Sequence, residues 1–301
     1  MAHPGAPARW PAAVSPLTAA ALQDAPRRAR VLAALPTALY LHLPEGHHHV
    51  LPVLAVDALR LPTGLRLAQP AAAIRWGVEQ GDEVVVGEGS VRLPGADVVA
   101  VRGWRPARVS APVEPAGAAP SGLSGPLPSA ACLDVLEAAT SGAVLRELAG
   151  DLVAAACLAS RPATRVPRLV RGLVGAGRGL TPSGDDALCG VLLGLRAAAA
   201  PARVLRDVAC SVRDSLPATT SLSASLLLAA IDGYAVPEVA ALVRAAAAGD
   251  AAGLYRLLPE VLAIGHSSGA DLLAGLAGTL DALATCSLIP DNTQPEGARR
   301  A

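Results

Sequence analysis

The chain contains no lysine; all 25 of its basic residues are arginine. That absence excludes chemistry built on a lysine amine, such as Schiff bases, pyridoxal-phosphate linkage and P-loop phosphate binding. A bound anion must therefore be met by Arg, by helix N-termini or by backbone N–H groups. Phenylalanine is also absent and aromatic residues make up only 2%, although 52% of the chain is hydrophobic. The core must then be built from Ala, Leu and Val, small residues that favour closely packed helices. Charge of one sign is missing too, because 25 acidic residues balance the 25 arginines and no basic face or tail stands out. Nucleic acid and anionic membranes are not expected as partners.

Five cysteines, Cys132, Cys157, Cys189, Cys210 and Cys286, are odd in number, widely spaced and free of any C-x-x-C pair. They read as buried thiols in a reducing compartment. No apolar run is long enough to cross a bilayer, since Asp232 and Pro237 interrupt the nearest one. The N-terminus also lacks a charged region followed by an apolar core. The expected location is cytoplasmic.

At 301 residues the expectation is about two domains. Residues 1–30 are rich in Pro, Ala and Arg with little periodicity, and residues 288–301 carry no core pattern, so both ends are expected to be loose. Residues 31–105 hold short apolar runs: Ala38–Leu41, Val50–Leu54, Val84–Val86 and Val98–Val101. Gly81-Asp82 and Pro94-Gly95 sit where turns would fall, which predicts a small β domain, a barrel or a sandwich. The Pro, Gly and Ser of residues 106–129 are linker composition. From 130 to 287 apolar residues recur at helical spacing, as in Leu145, Leu148 and Leu152, and predict about seven helices. The fold class is α+β, a small N-terminal β domain followed by a mostly helical C-terminal domain.

One polar motif occurs twice, within residues 175–195 and 263–281. Aligning Ser183 with Ser268 pairs Gly184 with Gly269, Asp186 with Asp271, Leu188 with Leu273 and Gly190 with Gly275. Ser-x-x-Asp before an apolar run resembles a capping box, and glycines such as Gly190 and Gly194 suit close helix approach. A purely structural reading accounts for that much. A glycine in the first turn of each helix is costly, however, and suggests that something approaches the backbone there. The first copy adds Asp185, Thr181 and a Gly175-x-Gly177-x-Gly179 approach, and the second adds His266 and Ser267. A third polar helix start spans Thr219–Ser225.

Two hydroxyl-dressed helix N-termini are a candidate anion site. Gly179, Thr181, Ser183, Gly184, Thr220, Ser267, Ser268 and Gly269 are the candidate substrate-binding residues. Asp185, Asp186, His266 and Asp271 are the candidates to orient the ligand or move a proton. No metal and no cofactor are expected. His47-His48-His49 reads as a surface loop, because consecutive side chains on a strand face opposite sides. Two alternatives stand beside this reading: a metal-assisted hydrolase using the same carboxylates and His266, and a non-catalytic assembly protein whose motifs only cap helices.

At these residues the chain resembles a bacterial family marked by Gly-Leu-Thr-Pro-Ser-Gly-Asp-Asp, a central Thr/Ser-rich helix start and a late Gly-His-Ser-Ser-Gly-x-Asp. Here these are Gly179–Asp186, Thr219–Ser225 and Gly265–Asp271, and the resemblance runs in order over residues 37–285. The family includes the AllH-type subunit of oxamate carbamoyltransferase, from anaerobic allantoin (ureide) degradation. The resemblance implies a subunit that works with two larger carbamoyltransferase subunits. It also implies a small anionic substrate, in an enzyme interconverting oxalurate and phosphate with oxamate and carbamoyl phosphate.

Overall fold

A computed structural model describes residues 7–43, 49–110, 129–140, 142–158 and 164–287. Eight strands close into a barrel: β1 (Ala8–Val14), β2 (Arg27–Ala34), β3 (Ala38–His42), β4 (Val50–Leu54), β5 (Leu65–Leu67), β6 (Glu83–Gly87), β7 (Ser90–Arg92) and β8 (Ala96–Gly103). Their order is β1-β5-β4-β3-β2-β6-β7-β8, and β8 returns parallel to β1. Closure leaves no sheet edge unpaired. Pro94-Gly95 makes the β7–β8 turn, where the Leu93 N–H donates to the Ala96 carbonyl at 2.9 Å.

The N-terminal segment departs from the sequence expectation. Residues 1–30 were expected to be loose, yet β1 and the first half of β2 lie there, with the short helix α1 (Ala19–Gln23) between them. In β2 the inward positions Ala29 and Val31 alternate with exposed Arg28 and Arg30. Alanine on the inner face disguises the period-two pattern. The Ala107 carbonyl accepts from the Ala235 N–H, Arg108 bridges Tyr234, and the Val109 N–H donates to the Gly233 carbonyl at 2.8 Å. The start of the expected linker is thus strapped to the helical domain. Residues 111–128, 288–301 and His47-His48 lie outside the described residues.

Nine helices follow among the described residues: α2 (Ala130–Ala139), α3 (Ala143–Cys157), α4 (Arg165–Leu173), α5 (Ser183–Ala197), α6 (Ala202–Ser215), α7 (Ser221–Ile231), α8 (Pro237–Ala247), α9 (Ala251–Leu262) and α10 (Ser268–Ser287). That is two more than the periodicity suggested. Among the described residues no helix is long and apolar enough to cross a membrane.

Helix α5 is buried from Gly184 to Leu195, as a helix that is apolar on every side must be. It crosses α10 through a reciprocal pair of glycines. A methyl group on Gly190 would collide with the Leu272 carbonyl, and one on Gly275 with the Ala187 carbonyl. Leu272 and Ala187 hold equivalent positions in the two motif copies, so the repeat is a pseudo-two-fold pairing of helices. Gly278 continues the packing from α10 onto the Arg146 carbonyl of α3.

The barrel docks side-on. In β3, Leu39 and Leu41 belong to the barrel core, while Ala38 joins the helical core and Tyr40 packs against it. The Val50 N–H of β4 donates to Ser225 Oγ of α7 at 3.1 Å, and Arg60 pairs with Glu238 of α8.

Overpacking a tight core typically costs about 1–3 kcal/mol and occasionally more. Gly190→Ala and Gly275→Ala are each expected to destabilise the protein by at least about that much. Urea unfolding should show it, and Gly179→Ala, which faces open space, serves as the reference for backbone strain without packing.

Candidate active site

The repeat sets two helix starts beside each other, but neither serine caps its helix in the expected way. Pro182 occupies the N-cap position of α5 with no side-chain cap, and Ser183 is already helical. The Ser268 hydroxyl instead meets that of Thr181 at 3.0 Å. The first-turn glycines have a packing reason as well. A side chain on Gly184 would strike the Leu173 carbonyl at the end of α4, and one on Gly269 the Val261 carbonyl at the end of α9. What approaches the backbone is the preceding helix.

The same geometry engages the backbone donors proposed for an anion. The Gly184 N–H donates to the Ala176 carbonyl at 2.9 Å and the Gly269 N–H to the Ile264 carbonyl at 3.1 Å. Asp185 and Asp186 N–H both donate to Pro182, and Asp271 N–H to Ser267.

The two adjacent carboxylates have different employment. Asp185 is 1% exposed, accepts from the Gly175 N–H at 2.9 Å through one oxygen and from the Thr219 hydroxyl through the other. It latches the left-handed Gly175 turn and the approach to α7 onto α5. Asp186, 8% exposed, lines a cavity and has an oxygen, Oδ2, with no hydrogen-bond partner. Asp271, its counterpart in the repeat, also has a buried Oδ2 without a partner. Burial raises the Asp186 pKa to about 7; the charges of Asp271 and Asp185 add to the rise, and the Ser268 and Thr181 hydroxyls partly oppose it.

The cavity, about 440 Å³, lies between the barrel and the helices. Thr181, Asp186, Ser268 and Gly269 line it from the motifs, Leu35, Thr37 and Tyr40 from the barrel, and Cys189, Leu222 and Tyr234 from elsewhere in the helical domain. Its size and mostly apolar wall with a few convergent polar groups suit a small-molecule site. Burial raises the Tyr40 pKa, and burial followed by the charges of Asp186 and Asp185 raises that of Cys189. Both groups stay neutral and serve as wall.

The remaining expected site residues fall outside this lining. Gly179, His266 and Ser267 are exposed, and Ser183 is half-buried beside it. Thr220 caps α7 by accepting from the Ser223 N–H at 3.1 Å and donates to the Leu180 carbonyl, fixing a loop that lines the cavity. Asp185, Asp186, Asp271 and His266 do not assemble as a metal cluster. Among the described residues no group of three or more His, Cys, Asp or Glu is placed to hold a metal. The barrel's contribution and Tyr234 were not anticipated, because no local motif marks them.

The raised pKa of Asp186 has a consequence whose sign can be tested. Below about pH 4 the acid is protonated folded or unfolded; between about 4 and 7 only the folded state keeps its proton, so stability from this group falls as pH rises. Asp186→Asn should remove that loss and leave the variant more stable than wild type at pH 8, on the order of 2–4 kcal/mol, with a smaller difference at pH 5. Asp185→Asn should instead weaken the fold by about 1–3 kcal/mol, because it disturbs two buried hydrogen bonds. Denaturant unfolding of both variants at the two pH values reads these outcomes, and a parallel response of the pair would refute the division of roles.

No curated protein and no solved structure matches the chain. Over residues 173–280, the span that holds both motif copies and most of the cavity's helical wall, the chain matches the family described as oxamate carbamoyltransferase subunit AllH.

Proposed function

We propose that this chain is a subunit of an oxamate-carbamoyltransferase-like enzyme and that the cavity at Asp186 is its substrate site. It would act in a multi-subunit complex of ureide nitrogen breakdown, with two larger carbamoyltransferase-type subunits as partners. The observation that carries the reading is the coincidence of the family match with the buried, incompletely bonded acid at the cavity wall.

The chemistry is consistent with such an acid. In oxalurate phosphorolysis the bond between the carbamoyl carbon and the oxamate nitrogen breaks, a bond from that carbon to a phosphate oxygen forms, and the departing nitrogen gains a proton. A group with a pKa near neutrality is suited to take up or give a proton at neutral pH, and burial raises that of Asp186 to about 7. Thr181 and Ser268 hold a hydroxyl pair beside it to orient the substrate. The apolar wall from Leu222, Leu226 and Leu272 excludes water that would otherwise hydrolyse a carbamoyl group.

Reconstituting the chain with its two partner subunits and following phosphorolysis of oxalurate tests the reading. Asp186→Asn is expected to lower kcat/KM by about 10²-fold or more, in line with loss of a general acid–base group. His266→Ala, exposed outside the cavity, is expected to stay within about threefold of wild type, the margin of a remote substitution. Full activity in Asp186→Asn would dismiss the cavity as the reaction site.

A further inference from the structure

The cavity wall carries one buried side-chain oxygen left without a hydrogen-bond partner. It is Asp186 Oδ2, a buried acceptor without a donor. Thr181 and Ser268 already spend one hydroxyl hydrogen on each other. Among the described lining residues there is no Arg and no His, and Asp186 is the one acidic side chain. A ligand carboxylate or phosphate placed at this wall would find no cation to balance it and would be repelled by Asp186 once that acid ionises. A ligand carrying N–H donors would satisfy an oxygen that the protein leaves open, and such orphan acceptors are rare unless something else fills them.

We propose that this wall recognises the amide or carbamoyl –NH₂ end of the substrate, and that the substrate's anionic end is neutralised by groups from outside this chain's cavity. The inference rests on reading the cavity as the substrate site. An –NH₂ group offers two donors, one for Asp186 Oδ2 and one for the hydroxyl oxygens of Thr181 and Ser268 beside it. A metal ion is the less suitable occupant, since hard divalent cations take six or more oxygen ligands and one carboxylate with two hydroxyls falls short.

The discriminating probes are oxamide, oxamate and oxalate, which carry two, one and no amide groups on the same two-carbon frame. Calorimetric titration of the full chain, alone and reconstituted with its partner subunits, is expected to give oxamide and oxamate at least about tenfold tighter binding than oxalate. Asp186→Asn replaces an acceptor by a donor, so it should shift preference toward oxalate while leaving the melting temperature at or above wild type.

Oxalate binding as tightly as oxamate, or binding that requires added K⁺ or Mg²⁺, would overturn the donor-end inference and leave the proposed function standing. If none of the three binds in either form, the cavity is not the substrate site and both readings fall.

Discussion

The helical domain turns on the close crossing of α5 and α10, where Gly190 and Gly275 each lie against a carbonyl of the opposite helix. Any side chain at either position would push the axes apart, and everything attached to the helix starts would move with them. Because the contact is reciprocal, the two copies of the motif are held against each other at matching positions along their helices. The pairing of Asp186 with Asp271 follows directly, since each sits at the same distance along its helix from the glycine that makes the crossing. An electrostatic conflict is thus built in by steric fit: the charge on Asp271 adds to burial in holding the Asp186 proton.

Neighbouring residues around that crossing divide their labour. Asp185 spends both oxygens on the Gly175 turn and Thr219, which orders the loop in front of α5. Asp186, one residue on, faces the cavity with its bonding incomplete. Consecutive helix positions differ by roughly 100° in direction, so one of two adjacent acids can serve the fold while the other is left to a ligand. The loop then returns Thr181 to Ser268 and bridges the two halves of the repeat at the cavity rim.

Much of the architecture was legible in the chain. The apolar runs at Ala38–Leu41, Val50–Leu54, Val84–Val86 and Val98–Val101 became β3, β4, β6 and β8, and the paired motif became two paired helices. The first two strands were missed because alanine carries their inward face, and alanine reads equally well as helix or loop. The glycines of the motif were visible, but their cause was not: a local sequence cannot say whether a ligand or a neighbouring helix occupies the space above them. The same holds for the barrel side of the cavity. Leu35, Thr37 and Tyr40 carry no motif and gain their place only through the docking of β3.

That docking has a mechanical side. One strand, β3, buries Leu39 and Leu41 in the barrel while Ala38 and Tyr40 pack with the helices, so consecutive residues are rivets through two plates. With β4 tied to α7 and Arg60 to Glu238, the seam is fastened along its length. Contacts of these three kinds, packing, a hydrogen bond and an ion pair, oppose hinging between the two halves. Leu35, Leu59 and Leu180 line the space between them and are partly exposed, so side chains from both plates stand where it meets the solvent.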